Sequence, residues 1–380
     1  YGTDGAGSVA YALSLVNVNT SVALTTALGS GLYALDNTDT STTDSDGYGQ
    51  GAEINLYNVS GVITGSTATA SANIDTTNTY FTIAVDNTTN LGDVTFTQTN
   101  NIWHETTTDH NDPASLALSE ISPNVHVALR LTQTVTDADG DTATASVDLE
   151  SSAADTSVAN FTVLDDGPNA SLNATAVADA KTTPISLSVD ETAGVQNTGD
   201  AKENTSVDRV SKASFATLFD ADTNTTGVQT AYGTDGAGSV AYALSLVNVT
   251  TPTSSITSLG SGLYALDNTN TTVGSYGKGS EIMLSVDSNG DVVGQVGNTT
   301  YFTIAVDNTG EVTFTQSDEN IWHSNPSDPN DAASLALSQL SNEDFAIRLT
   351  QTVTDADGDT DSASVDLESS VANTSVANFT

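Results

Sequence analysis

The chain has 380 residues, 37% of them hydrophobic, no cysteine, and a formal net charge of −41 from 48 acidic and seven basic residues. That length suggests two or three domains of about 100–200 residues each. The missing cysteines exclude disulfide scaffolds and thiol chemistry, and the scarcity of Lys and Arg excludes a phosphate-binding surface, so nucleic acid is not expected as a partner. No run reaches the ~18 apolar residues of a membrane span, so no membrane insertion is expected.

Internal repetition is the dominant feature. Tyr1 to Val18 reads YGTDGAGSVAYALSLVNV, and the same string returns at Tyr232 to Val249. YFTIAVDNT follows at Tyr80 and Tyr301, NIWH at Asn101 and Asn320, SLALS at Ser115 and Ser334, and both copies close on TSVANFT. Residues 1–164 form copy one, read as lacking its N-terminal strands because the chain opens in mid-repeat. Residues 165–380 form copy two, with a junction at 165–168 and an N-terminal segment over 169–231. Abundant Thr, Ser, Asn, Asp and Gly between apolar alternations predicts an all-β fold with many polar turns.

In chain order, the spacing of Leu116, Leu118 and Ile121 after Asp112-Pro113 fits a short helix with an N-cap and an N1 proline. An extended reading of SLALS fits as well. Asp331 opens the matching stretch, with Leu335, Leu337 and Leu340. Ala170 to Val177 and Ile185 to Val189 read as strands. Trp103 and Trp322 read as core anchors, the alternative being an exposed platform for a sugar. Arg130 and Arg348, on strands, are placed to pair across to Asp148 and Asp366.

The chemistry concentrates in a turn that occurs twice. Val127, Leu129, Leu131 and Val135 alternate with polar residues, Ala143, Ala145, Val147 and Leu149 alternate again, and between them lies Asp137-Ala138-Asp139-Gly140-Asp141-Thr142. Copy two repeats this with Asp355, Asp357 and Asp359. Carboxylates at every second position of a tight turn repel one another unless a cation sits among them, and calcium takes about six to eight oxygen ligands of this kind. The turn is no EF-hand: Thr142 and Thr360 stand where that loop needs glycine, and Asp148 and Asp366 stand in place of its last glutamate. The bland alternative is a solvated acidic hairpin. Further candidate metal ligands are Asp165, Asp166, Asp190 and Glu191 around the junction, and Asp287, Asn289 and Asp291 in a second acidic turn. No HExxH or nucleophile elbow is present, so no enzyme is expected.

Together, QTVTDADGDTATASVDL, VLDDGP, VDET, FATLFD and YGTDGAGSVAYALSL resemble the long tandem repeats of giant type I secreted, RTX-type bacterial adhesins. The resemblance covers essentially the whole chain, although the nonapeptide calcium repeat and the C-terminal secretion signal of such proteins are absent. It implies tandem antiparallel β-sandwich (Ig-like) repeats, stiffened by Ca2+, in an extracellular protein at the bacterial cell surface or in a biofilm matrix. The expected role is a structural extender whose partners are neighbouring repeats of the same chain. Two alternatives are a self-assembling matrix filament, with strands exchanged between copies, and a carbohydrate-binding module.

Overall fold

The computed structural model describes residues 2–3, 5–41, 47–154, 156–190, 209–220, 232–251, 256–325, 331–339 and 342–380. The chain divides into two compact units. The first comprises Tyr1–Pro168 with two short segments, Tyr232–Gly238 and Thr354–Thr360, and the second comprises Asn169–Ala231, Ser239–Val353 and Asp361–Thr380.

In the first unit the strands are β1 (Ala6–Asn17), β2 (Leu28–Leu35), β3 (Gln50–Val59), β4 (Val62–Ser66), β5 (Thr79–Val85), β6 (Val94–Gln98), β7 (Pro113–Ser115), β8 (Val127–Asp137), β9 (Thr142–Ser151) and β10 (Thr162–Leu164). They form an antiparallel five-stranded meander β2-β3-β4-β5-β6, a three-stranded sheet β1-β8-β9, and the small pair β10-β7. Period-two alternation explains the layering. Leu13 and Leu15 of β1 and Leu129 of β8 turn inward, where they share one core with Ile54 and Leu56 of β3 and Phe81 and Ile83 of β5. Two antiparallel sheets closed on a common core make this unit a β-sandwich.

One glycine decides how the meander starts. The β2–β3 register slips between Gly29 and Tyr33, and Gly31 adopts φ +72° with the Ala117 carbonyl where a Cβ would sit. Only glycine reaches that backbone conformation without strain.

The second unit repeats the plan. Helix α1 (Ala174–Thr182) and strands β11 (Ile185–Leu187) and β12 (Val210–Ser214) precede β13 (Ala237–Asn248), β14 (Leu259–Leu266), β15 (Lys278–Val286), β16 (Val292–Val296), β17 (Thr299–Val306), β18 (Glu311–Gln316), β19 (Phe345–Asp355), β20 (Thr360–Ser369) and β21 (Ala377–Phe379). The larger sheet gains an edge strand, β12-β18-β17-β16-β15-β14, and faces the sheet β13-β19-β20. Strand β11 pairs in parallel with β21. Phe215, Phe219, Phe302, Phe314 and Phe379 fill the core. The all-β expectation therefore holds, with two antiparallel sheets facing each other in each unit.

Three local expectations need correction. The stretch after Asp112 is extended, not helical: Pro113–Ser115 pairs with β10, and the Leu116 N–H donates to the Phe161 carbonyl at 2.9 Å. Leu116 and Leu118 are buried while Ala117 between them is exposed, a period of two that a helix cannot satisfy. In copy two, residues 332–339 lack regular structure, and Leu340 lies outside the described residues.

The strand expected over Ala170 to Val177 gives way to α1. Asn173 caps that helix by accepting from the Ala176 N–H at 3.0 Å, and four alanines follow at alternate positions, each a strong helix former. Their spacing mimics strand alternation, but the buried pair is Val177 and Ala180, three apart as on a helix face. Third, neither tryptophan is a core residue. Both are half-buried, each meets a tyrosine edge-on, and each indole N–H donates at 2.8 Å to a backbone carbonyl, of Tyr48 or Tyr276.

Candidate metal centre

At the end of β19 the chain reverses through Asp355-Ala356-Asp357-Gly358-Asp359. Gly358, at φ +100°, makes the reversal, and the Asp355 N–H meets the Asp359 carbonyl at 3.1 Å. One oxygen of Asp355 accepts the N–H groups of Gly358 (3.1 Å) and Asp359 (2.8 Å). That fixes the turn and leaves Asp355 Oδ2 buried without a hydrogen-bond partner.

Three other loops of the first unit close over this turn. Ile102, fully buried, bridges to Ala34, and the Trp103 N–H bonds the Tyr33 carbonyl at 2.9 Å, which anchors the neighbouring His104. Asp165 follows β10, with its N–H on the Asp112 carbonyl at 3.2 Å. Its Oδ1 accepts the Asp166 N–H at 2.8 Å. Asp235 belongs to the Tyr232-Gly233-Thr234-Asp235 loop, which is held by the Thr234 N–H on Asp166 Oδ2 (3.1 Å) and by Asn101 Nδ2 on the Thr234 carbonyl (2.7 Å).

The result is a buried group of five carboxylates and one imidazole. Exposure runs from 0% at Asp355 through 2% at Asp357 and Asp359 and 5% at Asp165 and His104 to 9% at Asp235. Asp165 Oδ2, Asp235 Oδ2, Asp355 Oδ2, Asp359 Oδ2, both oxygens of Asp357 and His104 Nδ1 are buried with no hydrogen-bond partner. Ligand atoms of Asp235, Asp355 and Asp357 lie within 4.8 Å of one another, as do those of His104, Asp165 and Asp357.

Electrostatics follow from that crowding. Burial, then the close approach of Asp357 and the charges of Asp357, Asp359 and Asp235, pushes Asp355 up to about 9. Burial first, then neighbouring aspartates, raises Asp235 and Asp359 to about 8, and burial raises Asp357 as well. Arg130, Arg209, Lys212 and Arg348 pair with Asp148, Asp318, Glu311 and Asp366, none of which belongs to this group. One imidazole, His104, faces Asp165 and Asp357, too little positive charge for five buried carboxylates, so the group must take up protons or bind a cation. Five aspartates crowding one another supply the hard oxygen donors that calcium takes.

The remaining candidates fare differently. Asp137, Asp139 and Asp141 also bring their oxygens within 4.8 Å, with Asp139 and Asp141 exposed and Asp137 half-buried, so water as well as a cation can offset their charges. Asp166 serves the Thr234 loop instead of the buried group. Asp190 is half-buried in the second unit, and Glu191 lies outside the described residues. Asp287 spends one oxygen on the N–H groups of Asn289 (2.8 Å) and Asp291 (3.0 Å), so that turn caps itself. His104 and Asp235 were not expected as ligands. Their one sequence signal is that NIWH and YGTDG each occur in both copies.

A cleft of about 430 Å3 opens beside Trp103, lined also by Tyr33, Gln50, Glu105 and Asp112. Among the described residues no helix is long and apolar enough to cross a membrane.

Fold and site thus define an all-β protein of two sandwich units with a buried, carboxylate-rich centre in the first. The chain belongs to the family described as Domain of unknown function (DUF5801), whose model matches residues 1–150 and 186–368. No curated protein and no solved structure matches it.

Proposed function

We propose that this chain is a calcium-stabilised structural extender of a secreted bacterial surface adhesin or biofilm-matrix protein, and that it is not an enzyme. The observation that carries the reading is the set of buried aspartate oxygens around Asp357 that have no hydrogen-bond donor and, among the described residues, no Lys or Arg ion pair. Calcium bound there would link segments far apart in the chain, since Asp165, Asp235 and Asp355 to Asp359 reach one place from three stretches of sequence. Binding that is confined to the native state adds its free energy to folding. A chain that folds only where calcium is plentiful suits export followed by folding outside the cell.

Thermal unfolding followed by circular dichroism tests this, in millimolar calcium and then in excess chelator at matched ionic strength. A large rise in melting temperature with calcium, beyond that given by magnesium, is expected. Equal curves in the two cations would remove the metal from the reading and leave the acidity as a solubility feature.

The carbohydrate-binding reading is favoured by one observation, the cleft that sets Trp103 and Tyr33 beside Gln50, Glu105 and Asp112. Affinity electrophoresis on polysaccharide gels decides it: retardation that Trp103→Ala abolishes would make binding part of the function. The filament reading predicts concentration-dependent assembly in light scattering.

A further inference from the structure

The buried group contains two sets of donors rather than one, and they differ in kind. Asp235, Asp355 and Asp357 offer only oxygen, while His104, Asp165 and Asp357 include an imidazole nitrogen. Asp357 belongs to both, and neither of its oxygens has a hydrogen-bond partner, which is the arrangement of a bridging carboxylate.

The state of the imidazole follows from its surroundings. His104 Nε2 lies 3.4 Å from the Val163 carbonyl, and a carbonyl only accepts, so Nε2 carries the proton. In the neutral ring the lone pair then sits on Nδ1, which is buried and unbonded and faces Asp165 Oδ1 at 3.4 Å and Asp357 Oδ2 at 3.9 Å. A lone pair aimed at two carboxylates is repulsive unless a proton or a metal cation lies between them. Metal-binding histidines commonly donate their second ring N–H to a backbone carbonyl, which fixes the tautomer and aims the free nitrogen at the ion. His323, the counterpart in copy two, is exposed, with Nδ1 engaged by the Asp331 carbonyl.

We infer that the centre holds two cations bridged by Asp357: calcium at the oxygen-only set, and a first-row divalent transition ion at His104, Asp165 and Asp357. Imidazole is a poor ligand for calcium but a good one for ions such as Zn2+, and a mixed imidazole–carboxylate set suits a first-row divalent ion, for which Mn2+ serves as the paramagnetic probe. The inference deepens the calcium reading and shares Asp357 with it.

The test uses the full chain, stripped with chelator, saturated with calcium, and then titrated with Mn2+ as the probe. Loss of the free-ion electron paramagnetic resonance signal counts bound Mn2+, and electron spin echo modulation detects a nitrogen ligand. We expect a single equivalent that excess calcium does not displace and that shows imidazole nitrogen coupling. His104→Asn should remove both while leaving the calcium-induced rise in melting temperature in place, and Asp235→Asn should reduce that rise but keep the coupling. Bound Mn2+ without nitrogen coupling in the unaltered chain, or its complete displacement by calcium, overturns the inference, and this arm needs no variant to fold. An imidazolium simply paired with Asp165 would give that outcome. Failure of the calcium melting shift itself would instead overturn the proposed function.

Discussion

Asp357 and Asp139 occupy the same place in two copies of one turn, yet Asp357 is 2% exposed and Asp139 lies open to solvent. The surroundings of the turn make the difference. A Cβ on Gly140 would meet nothing within 4 Å, whereas one on Gly358 would lie about 3 Å from the Tyr48 ring and against Thr107. Burial converts a solvated run of carboxylates into a group that must take up protons or a cation. Asp357→Asn should therefore raise the melting temperature in chelator, by removing a charge at the centre of the cluster, and abolish most of the calcium-induced rise. Asp139→Asn should change stability by no more than ~0.5 kcal/mol in either condition, as exposed substitutions do. Equal responses of the two variants in calcium-dependent melting would contradict this assignment.

The acid–base behaviour of the same group gives a second prediction, for the calcium-free chain. Carboxyls raised from 3.8 to about 8 at Asp235 and Asp359 and about 9 at Asp355 are favoured in the folded state when protonated. Their contribution is complete below the unfolded value of 3.8 and is lost as pH rises through about 8 to 9. Melting temperature in chelator should thus fall from acid towards alkaline pH. Calcium competes with those protons, so its apparent affinity should increase over the same interval and the decline should flatten. A calcium-free profile that rises towards alkaline pH would mean that these aspartates are not the dominant titrating groups.

Much of the framework is legible in the sequence because it depends on neighbours along the chain. The alternations flanking DADGD become β8–β9 and β19–β20, and Arg130 lies opposite Asp148 as the spacing requires. The centre is less legible because it depends on distant loops. Asp355, Asp357 and Asp359 are visible as a motif, but nothing local distinguishes them from Asp137, Asp139 and Asp141. The distinction comes from Tyr48, His104 and Asp165, all far from the turn in sequence. Helix α1 is hidden for the opposite reason: its alanines alternate as strand residues do, and the Asn173 cap marks the start.

The cross-strand pairs make a third prediction. Arg130 Nε and one terminal nitrogen grip Asp148 at 2.6 and 3.0 Å, with both side chains about 15% exposed, and the bond to Asp148 holds the guanidinium above its ordinary range. A partly buried, two-point ion pair is stronger than an exposed one. Arg130→Ala should cost about 1–2 kcal/mol in denaturant unfolding. The equivalent Arg348→Ala should cost no more, since only Arg348 Nε bonds Asp366, at 2.7 Å. Neither cost should depend on calcium, because both pairs lie outside the buried group, and a calcium-dependent cost would refute that independence.

The last prediction separates general acid–base effects from the metal centre. Glu368, on β20, is raised from 4.5 to about 7 by burial, against a smaller lowering by its bond to Ser375. Its counterpart Glu150 is raised for the same reason, opposed by Ser157. For a carboxyl raised on folding, the favourable contribution is complete below the unfolded value of 4.5 and disappears as pH passes about 7. Glu368→Gln, which cannot ionise, should match the parent in acid and exceed it in stability above neutral pH. The gain should be the same in calcium and in chelator, because Glu368 is no part of the aspartate cluster. Chemical denaturation of both proteins across that pH interval reads the difference directly, and a gain that appears only in chelator would mean that Glu368 responds to the cation site after all.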